Sequence, residues 1–211
     1  MKQAAADACL ELSEDTLHVD DIECSIEYNP ECPPLKFETS RSKYKIAIFS
    51  CGCFVSPQRR FLKMDGVKRV VAGYTGGEYS TPSYDDTEDH RHSIFVEYNP
   101  QKVSYKELLE MWRNNDDPFT YEPNVAYQSG IFTLNEGQEQ EAMEFLRTLE
   151  EKESYRNTKL FVTVEPAWNY TFYQAEERYQ NYLGKQILSA RERYIAWAND
   201  KIPSCMYPLV E

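Results

Sequence analysis

The stretch YKIAIFSCGCFVSPQRRF, residues 44–61, contains the strand, turn and helix start from which the rest of the fold can be predicted. Its apolar run, 44–50, is short and partly β-branched, which predicts a buried strand. The pair Ser56-Pro57 predicts a helix start, because serine caps helix N-termini and proline suits the first helical position. Cys51 and Cys53 lie at this junction, so they are candidates for a nucleophile, for metal ligands or for small core residues.

Strands and helices alternate along the rest of the chain. Further strands are predicted over 67–77, 93–98, 129–134 and 159–166, and helices before Asp65-Gly66 and over 104–113, 135–155, 174–183 and 186–199. The helix at 104 has the clearest start, since Ser104 and Glu107 have the spacing of a capping box. The alternation predicts a single-domain α/β sandwich with a mixed β-sheet.

Length and composition restrict the class of protein. The chain has 211 residues, of which 41% are hydrophobic and 27% charged, as expected for one globular domain. No apolar run approaches the roughly 18 residues of a membrane span. The N-terminal residues lack the basic region and apolar core of a secretory signal, so we expect a cytoplasmic protein with no membrane association. Six cysteines are then expected to be reduced thiols rather than a disulfide framework.

Negative charge is concentrated at the start of the chain. The net charge of −12 argues against a nucleic-acid partner, which would require a basic face. Residues 1–43 contain ten Asp or Glu and four Lys or Arg, which gives −6, half of the total. We interpret 1–43 as a solvated acidic arm, 44–185 as the folded domain, and 186–211 as a C-terminal helix and tail.

Cys53 has the environment expected of a reactive thiol. It lies three residues before the predicted helix cap, where the chain leaves a strand. The free N–H groups and the dipole of a helix N-terminus favour the thiolate, which is the reactive form of cysteine. Strand-to-helix turns also place side chains at the carboxyl edge of a sheet, where active sites are common. The alternative is that Cys53 is one more buried small hydrophobe.

Four segments resemble the peptide methionine sulfoxide reductase A family, in the family's order. They are GCF at 52–54, GVKRVVAGYTGGEYSTPSY at 66–84, VEYNPQKVSYKELLEMW at 96–112 and FYQAEERYQNYL at 172–183. The corresponding family forms include G-C-F-W-x-x-E, G-Y-x-G-G and F-Y-x-A-E-x-x-H-Q-x-Y. The resemblance covers about 44–185 and implies a ferredoxin-like sandwich and a thiol-dependent reductase of free or peptidyl methionine-S-sulfoxide.

The resemblance assigns roles residue by residue. Cys53 takes the position of the family's nucleophile and Phe54 that of the aromatic residue beside it. Tyr84 takes the position of one active-site tyrosine, and Tyr127 takes that of the second, within the family's Q-Y-R-S. In the family the thiolate attacks the sulfoxide sulfur, while hydroxyl and carboxyl groups donate to the leaving oxygen. Such donors matter because that oxygen gains charge in the transition state.

Four positions depart from the family pattern, among them the glutamic acid of G-C-F-W-x-x-E, which is Gln58 here. The tryptophan after Cys-Phe is Val55 here, which removes one wall of the methyl-binding box. The glutamic acid of G-H-A-E falls on His92, and the aspartate of a later loop falls near Glu122. A histidine can replace a carboxylic acid as proton donor, since its usual pKa is about 6.5. We expect His92 to act best at mildly acid pH.

Two other functions remain open on the sequence alone. Loss of the family's Trp and Glu would also suit a binding protein that kept the fold without the activity. A metal-dependent enzyme is the other, since Cys51 and Cys53, and likewise His90 and His92, are spaced i, i+2. If both pairs are extended, each points to one side, and the four side chains could form a Cys2His2 site.

The catalytic cycle requires a second thiol but no cofactor. Attack on a sulfoxide leaves Cys53 as a sulfenic acid, which a second cysteine must condense with. Cys51 is nearest in sequence, but i and i+2 in an extended chain lie about 6.5–7 Å apart, at the edge of disulfide geometry. Cys205 lies in a proline-flanked tail of the kind that carries the resolving cysteine in many family members. We therefore prefer Cys205, with thioredoxin or another dithiol as reductant.

Overall fold

The structure is a computed structural model that describes residues 43–79, 82–152 and 159–187. The acidic arm up to residue 42, the tail from 188 onward and Cys205 lie outside the described residues. The strands are β1 Lys45–Ser50, β2 Val67–Thr75, β3 Arg91–Tyr98, β4 Ser129–Thr133, β5 Val162–Pro166 and β6 Tyr173–Gln174. The α-helices are α1 Val55–Leu62, α2 Tyr105–Arg113, α3 Glu136–Glu151 and α4 Tyr182–Ile187.

The six strands form one sheet in the order β5-β4-β1-β3-β2-β6. Only β4 and β5 run parallel; the other neighbouring pairs are antiparallel. Strand β1, which leads into the cysteine turn, therefore lies between β3 and β4 near the centre. The predicted α/β fold with a mixed sheet is confirmed.

Alternate residues of each strand pack against different layers, as the period of two in a strand requires. On β1, Ala47 and Phe49 belong to the larger core, whereas Ile48 belongs to a smaller one on the other face. The larger core contains the apolar residues of the helices, including fully buried Trp112, whose indole N–H donates to the Ser50 carbonyl at 2.9 Å. The end of β1 is thereby fixed against α2.

Helix α1 begins at Val55, before the predicted start at Pro57. Ser56 was predicted as the N-cap and Pro57 as the first helical residue, but the N-cap is Phe54 and the helix begins at Val55. The Gln58 N–H closes the first turn by donating to the Phe54 carbonyl at 2.9 Å. Proline is tolerated at the third position because N–H groups of the first turn have no partner within the helix.

The predicted helix starts at 104 and 135 are confirmed. Ser104 caps α2 with both hydrogen bonds of the capping box, and the Asn135 side chain caps α3 by accepting from the Gln138 N–H. Helix α3 ends at Glu151 rather than near 155. Its C-terminal neighbours 153–158 lie outside the described residues.

The predicted helix over 174–183 is wrong. The chain instead forms the two-residue strand β6, a 3-10 turn at Glu177–Tyr179 and the start of α4. Tertiary hydrogen bonds replace those of a helix, since Ala175 N–H donates to the Ala72 carbonyl at 2.9 Å. A Cβ on Gly73 would lie 2.2 Å from the Tyr173 carbonyl oxygen, so β6 can approach β2 only because residue 73 is glycine. The helix predicted over 186–199 lies mostly outside the described residues.

Candidate active site

The turn between β1 and α1 points its two cysteines in different directions. Strand β1 ends at Ser50, and Gly52 has φ 62°, in the left-handed region that favours glycine. The prediction that both side chains point to one side requires an extended chain from Cys51 to Cys53. The left-handed backbone of Gly52 means that the chain is not extended there. Cys51 is buried and Cys53 is exposed.

Cys51 is a core residue. It is 3% exposed and packs within the larger core. Burial, followed by the charges of Asp116 and Cys53, raises the pKa of the Cys51 thiol well above its usual value. A neutral, enclosed thiol is a poor nucleophile and a poor metal ligand, because both roles require the thiolate.

A group of packed aromatic rings lies beside the exposed thiol, and Phe54 is its centre. The ring of Phe54 stacks on His92, with ring centroids 4.5 Å apart. It also makes edge-to-face contacts with three tyrosines, at centroid distances of 5.8 Å for Tyr74, 6.0 Å for Tyr84 and 6.4 Å for Tyr179. Tyr127 completes the group at 5.1 Å from the His92 ring. We call these six residues the aromatic pocket. The structure thus brings Phe54, Tyr84, His92 and Tyr127 together, which the family resemblance had predicted.

His92 is a buried polar group of this pocket. It is the second residue of β3 and lies on the face that carries the larger core, with 1% of its surface exposed. Its Nδ1 has no hydrogen-bond partner among the residues that the structure describes. Burial lowers the pKa of His92 to about 4, although the charge of Glu176 acts in the opposite direction. The ring is therefore neutral at physiological pH.

Two tyrosines approach His92 from different loops. Tyr84 comes from the loop before β3 and lies 5.4 Å from the His92 ring, and Tyr127 ends a 3-10 turn before β4. Burial, and then the neighbouring charge of Cys53, raises the pKa of Tyr84. Its phenol therefore keeps its proton and can donate a hydrogen bond.

Val55 and Glu122 were predicted to bind substrate. Val55 is partly buried and packs against the larger core, so its side chain faces inward at the start of α1. The Glu122 carboxylate accepts from the Asn124 N–H at 2.8 Å within its own loop. This hydrogen bond of Glu122 lies within the loop before Tyr127. The substrate roles of Val55 and Glu122 stay predictions.

His90 lies apart from the aromatic pocket, although it shares the i, i+2 spacing with His92. Its Nδ1 is 3.1 Å from Asp89, and its ring meets Tyr173 of β6 edge-on at 5.4 Å. Within residues 43–79, 82–152 and 159–187, no group of three or more His, Cys, Asp or Glu side chains is arranged to hold a metal ion. The alternative Cys2His2 site of Cys51, Cys53, His90 and His92 is not formed among the described residues, and Cys51 is enclosed in the core while Cys53 is exposed.

A second polar cluster joins the helix that follows Cys53 to the C-terminal segment. The Gln58 Nε2 donates to the Val70 carbonyl at 3.0 Å and to Gln180 Oε1 at 2.8 Å, while its Oε1 accepts from the Asn181 N–H at 2.7 Å. Gln180 in turn binds both the N–H and the carbonyl of Ala72. We call Gln58 and Gln180 the glutamine clamp.

Sequence reasoning assigned no role to three residues that the structure places at the site. Glu176 accepts hydrogen bonds from Tyr74 and Tyr84, Tyr179 stacks on Tyr84 at 4.0 Å, and Gln180 belongs to the clamp. All three lie in FYQAEERYQNYL, one of the segments that carry the family resemblance. The family motif in that segment was therefore the available signal for these three residues. The helix predicted over 174–183 did not indicate which of its side chains face the pocket.

Comparison with known proteins identifies the family. The sequence profile described as "Peptide methionine sulfoxide reductase" matches residues 45–204. The chain belongs to the peptide methionine sulfoxide reductase family. This membership confirms the predicted activity class, a thiol-dependent reductase of methionine sulfoxide.

Individual relatives agree in sequence and in fold. The chain is 37% identical to the enzyme MsrA of Methanothermobacter thermautotrophicus over 153 residues, which cover 68% of this chain and 89% of that one. It is 34% identical to the reductase A1 of Arabidopsis thaliana over 146 residues, 65% of this chain and 70% of that one. Reduced Mxr1 of Saccharomyces cerevisiae superposes with a TM-score of 0.60 at 25% identity, over 82% of this chain and 96% of its own.

A second solved structure supports the fold alone. Methionine sulfoxide reductase A of Corynebacterium diphtheriae has a TM-score of 0.64 at 24% identity, over 71% of this chain and 78% of its own. In the part of the chain that the structure describes, no helix has both the length and the apolar character needed to cross a bilayer.

Proposed function

We propose that Cys53 reduces the S-epimer of methionine sulfoxide, free or within a peptide, and that the aromatic pocket receives the substrate's sulfoxide group. The observation that carries the proposal is the pairing of an exposed thiol at a helix start with the aromatic pocket, where His92 Nδ1 has no partner among the described residues. Cys53 is exposed and directly precedes the Phe54 cap of α1, a position at which reactive cysteines are commonly held. The partly exposed rings of Tyr84, Tyr127 and Tyr179 offer faces to the sulfoxide's alkyl groups.

In the proposed reaction the Cys53 thiolate attacks the sulfur of the sulfoxide. A bond forms between the two sulfurs, the S–O bond of the substrate and then the new S–S bond break, and the oxygen passes to the Cys53 sulfur with uptake of one proton. The products are a Cys53 sulfenic acid and the thioether, so the cysteine sulfur is oxidised by two electrons and the substrate is reduced by two. The oxygen gains charge in the transition state, where positioned donors contribute most.

We assign donation to that oxygen to Tyr84, His92 and Tyr127. Tyr84 keeps its proton because its pKa is raised. His92 donates as a neutral imidazole at pH 7, because its pKa is about 4. The acid-dependent rise in turnover that was expected near pH 6.5 is therefore expected near pH 4.

We assign resolution of the sulfenic acid to Cys205 rather than Cys51. Cys51 is enclosed in the core and its thiol pKa is raised, which disfavours attack. A Cys205 thiolate would displace the sulfenic oxygen as water and form a disulfide with Cys53. A dithiol such as thioredoxin would then reduce that disulfide. Free thiols of this kind suit a reducing compartment, and we propose a cytosolic location.

One experiment tests both cysteines. Methionine-S-sulfoxide is added first in a single-turnover assay without reductant and then in a multiple-turnover assay with thioredoxin. Cys53→Ser should abolish both, while the control Cys51→Ser should keep both per folded molecule. Cys205→Ser should keep the first turnover and slow the later ones. A first turnover that survives Cys53→Ser would contradict the nucleophile, and equal loss of both phases would remove Cys205 from resolution.

A further inference from the structure

Glu176 is the carboxylate that contacts two walls of the aromatic pocket at once. Its Oε2 accepts from the Tyr74 hydroxyl at 2.7 Å, and its Oε1 accepts from the Tyr84 backbone N–H at 3.0 Å. The Glu176 side chain is only 17% exposed. It joins strand β2 to the loop that carries Tyr84.

The segment that carries Glu176 is held firmly against β2. On one side of it, β6 pairs with Gly73 and Tyr74. On the other, Gln180 binds Ala72 through both its amide oxygen and its amide nitrogen, and also donates to the Ala175 carbonyl at 2.9 Å. Glu176 is therefore a fixed point for a loop that is otherwise built from local turns.

Among the described residues, an ion pair and a ring stack also join the neighbourhood of Tyr84 to this segment. Arg178 lies 3.7 Å from Asp85, but their side chains are 64% and 83% exposed, and ion pairs in solvent contribute little. The Tyr84 ring stacks on Tyr179 at 4.0 Å, which orients the ring but does not fix the backbone. The hydrogen bond to Glu176 does so.

Glu176 also acts on His92 through its charge. The groups that face His92 are the phenols of Tyr74, Tyr84 and Tyr127, the Phe54 ring and the Glu176 carboxylate. Among them the carboxylate raises the pKa of His92, against the effect of burial. Burial, and then the hydrogen bond to Glu176, raises the pKa of Tyr74. The Tyr74 hydroxyl therefore remains a donor to Glu176.

We propose that Glu176 is a positioning residue of the reductase, which fixes Tyr84 through its backbone and holds His92 in a negative field. The inference rests on the proposed function of the pocket. It predicts that the two effects of Glu176 can be separated, because an amide keeps most of the shape and loses the charge. The whole side chain must be removed to lose the Tyr84 contact as well.

Two variants and one control test this role in the full-length protein. Glu176→Gln should lower kcat/KM for methionine-S-sulfoxide about tenfold, and Glu176→Ala about a hundredfold, as expected for one and two lost interactions of ordinary strength. The loss should appear mainly in kcat, because the donors act in the transition state. The control Glu177→Gln removes a neighbouring carboxylate, which pairs with Lys185, and should leave kcat/KM unchanged.

A titration of the His92 ring by NMR provides a readout that does not depend on activity. Glu176→Gln should lower the pKa of His92, and Glu177→Gln should not change it. Wild-type kcat/KM in Glu176→Ala, or an unchanged His92 titration in Glu176→Gln, would overturn the positioning role. If the wild-type protein lacked Cys53-dependent turnover, the proposed function would fail, and the titration would still decide whether Glu176 acts on His92.

Discussion

The aromatic pocket and the glutamine clamp both border helix α1, yet they satisfy their polar groups in different ways. In the pocket, His92 is enclosed by rings and its Nδ1 has no partner among the described residues. In the clamp, Gln58 and Gln180 use both ends of their amides in hydrogen bonds of 2.7–3.0 Å.

This difference indicates that the aromatic pocket and the glutamine clamp have different roles, although both border helix α1. A buried polar atom without a partner reduces stability, because it has lost water without replacement. Such an atom is useful where a substrate can supply the missing partner. A saturated amide network increases stability and leaves nothing for a ligand to bind. Changes in the pocket should therefore affect catalysis, whereas changes in the clamp should affect stability.

The largest expected effect comes from removing the nitrogen atoms of the pocket. His92→Phe keeps a ring that can stack on Phe54 at the present 4.5 Å but removes the donor. We expect kcat/KM for methionine-S-sulfoxide to fall by about 10²–10⁴, the usual contribution of a positioned proton donor. Steady-state kinetics at pH 7 measure this directly.

His92→Gln is the matched variant, because it keeps an N–H donor without the ring. It should retain more activity than His92→Phe. Activity of His92→Phe within threefold of the wild type would assign the whole of oxygen donation to the tyrosines and end the role of His92.

Much of the fold could be predicted from local signals. The five longer strands follow from apolar runs, and the start of α2 follows from Ser104 and Glu107. Strand β6 could not be predicted, because its two residues are extended only through pairing with Gly73 and Tyr74. The helix predicted over 174–183 failed for the same reason, since tertiary contacts outweighed local propensity.

The sequence predicts which residues form the candidate site better than it predicts their geometry. Cys53 and His92 were recognised from their positions in the family motifs, whereas the divergence of Cys51 from Cys53 depends on the left-handed backbone of Gly52. The low pKa of His92 depends on burial, which arises from the packing of several distant segments. Glu176 was missed because its partners come from β2 and from the loop before β3.

A smaller effect, and one on stability, is expected in the clamp. Gln58→Ala removes the partner of the Asn181 N–H and one partner of Gln180, both within or beside the core. Leaving such groups unpaired should lower the free energy of unfolding by about 3 kcal/mol, measured by urea denaturation. Activity per folded molecule in a single turnover should change little, because the hydrogen bonds of the Gln58 side chain go to Val70, Gln180 and Asn181, which lie outside the aromatic pocket.

Gln138→Ala is a suitable control for that prediction. Gln138 is also buried and binds two backbone groups, the Leu134 N–H and the Ile46 carbonyl, but it lies on α3. Both variants should lose stability. If Gln58→Ala lost single-turnover activity and Gln138→Ala did not, the clamp would be part of the catalytic site and the contrast with the pocket would be wrong.

The smallest effect tests the contrast through pH. The folded pKa of His92 is about 4, and that of an unfolded histidine is about 6.5. Between these values the unfolded chain binds a proton that the folded chain does not, so the free energy of unfolding falls as pH falls. This term amounts to about 2 kcal/mol between pH 7 and pH 5. His92→Phe should lack it, so its urea midpoint should fall less over that range than that of the wild type. Parallel pH dependences for the two proteins would mean that His92 is accessible to protons in the folded state, and that the pocket encloses it less than the clamp encloses Gln58.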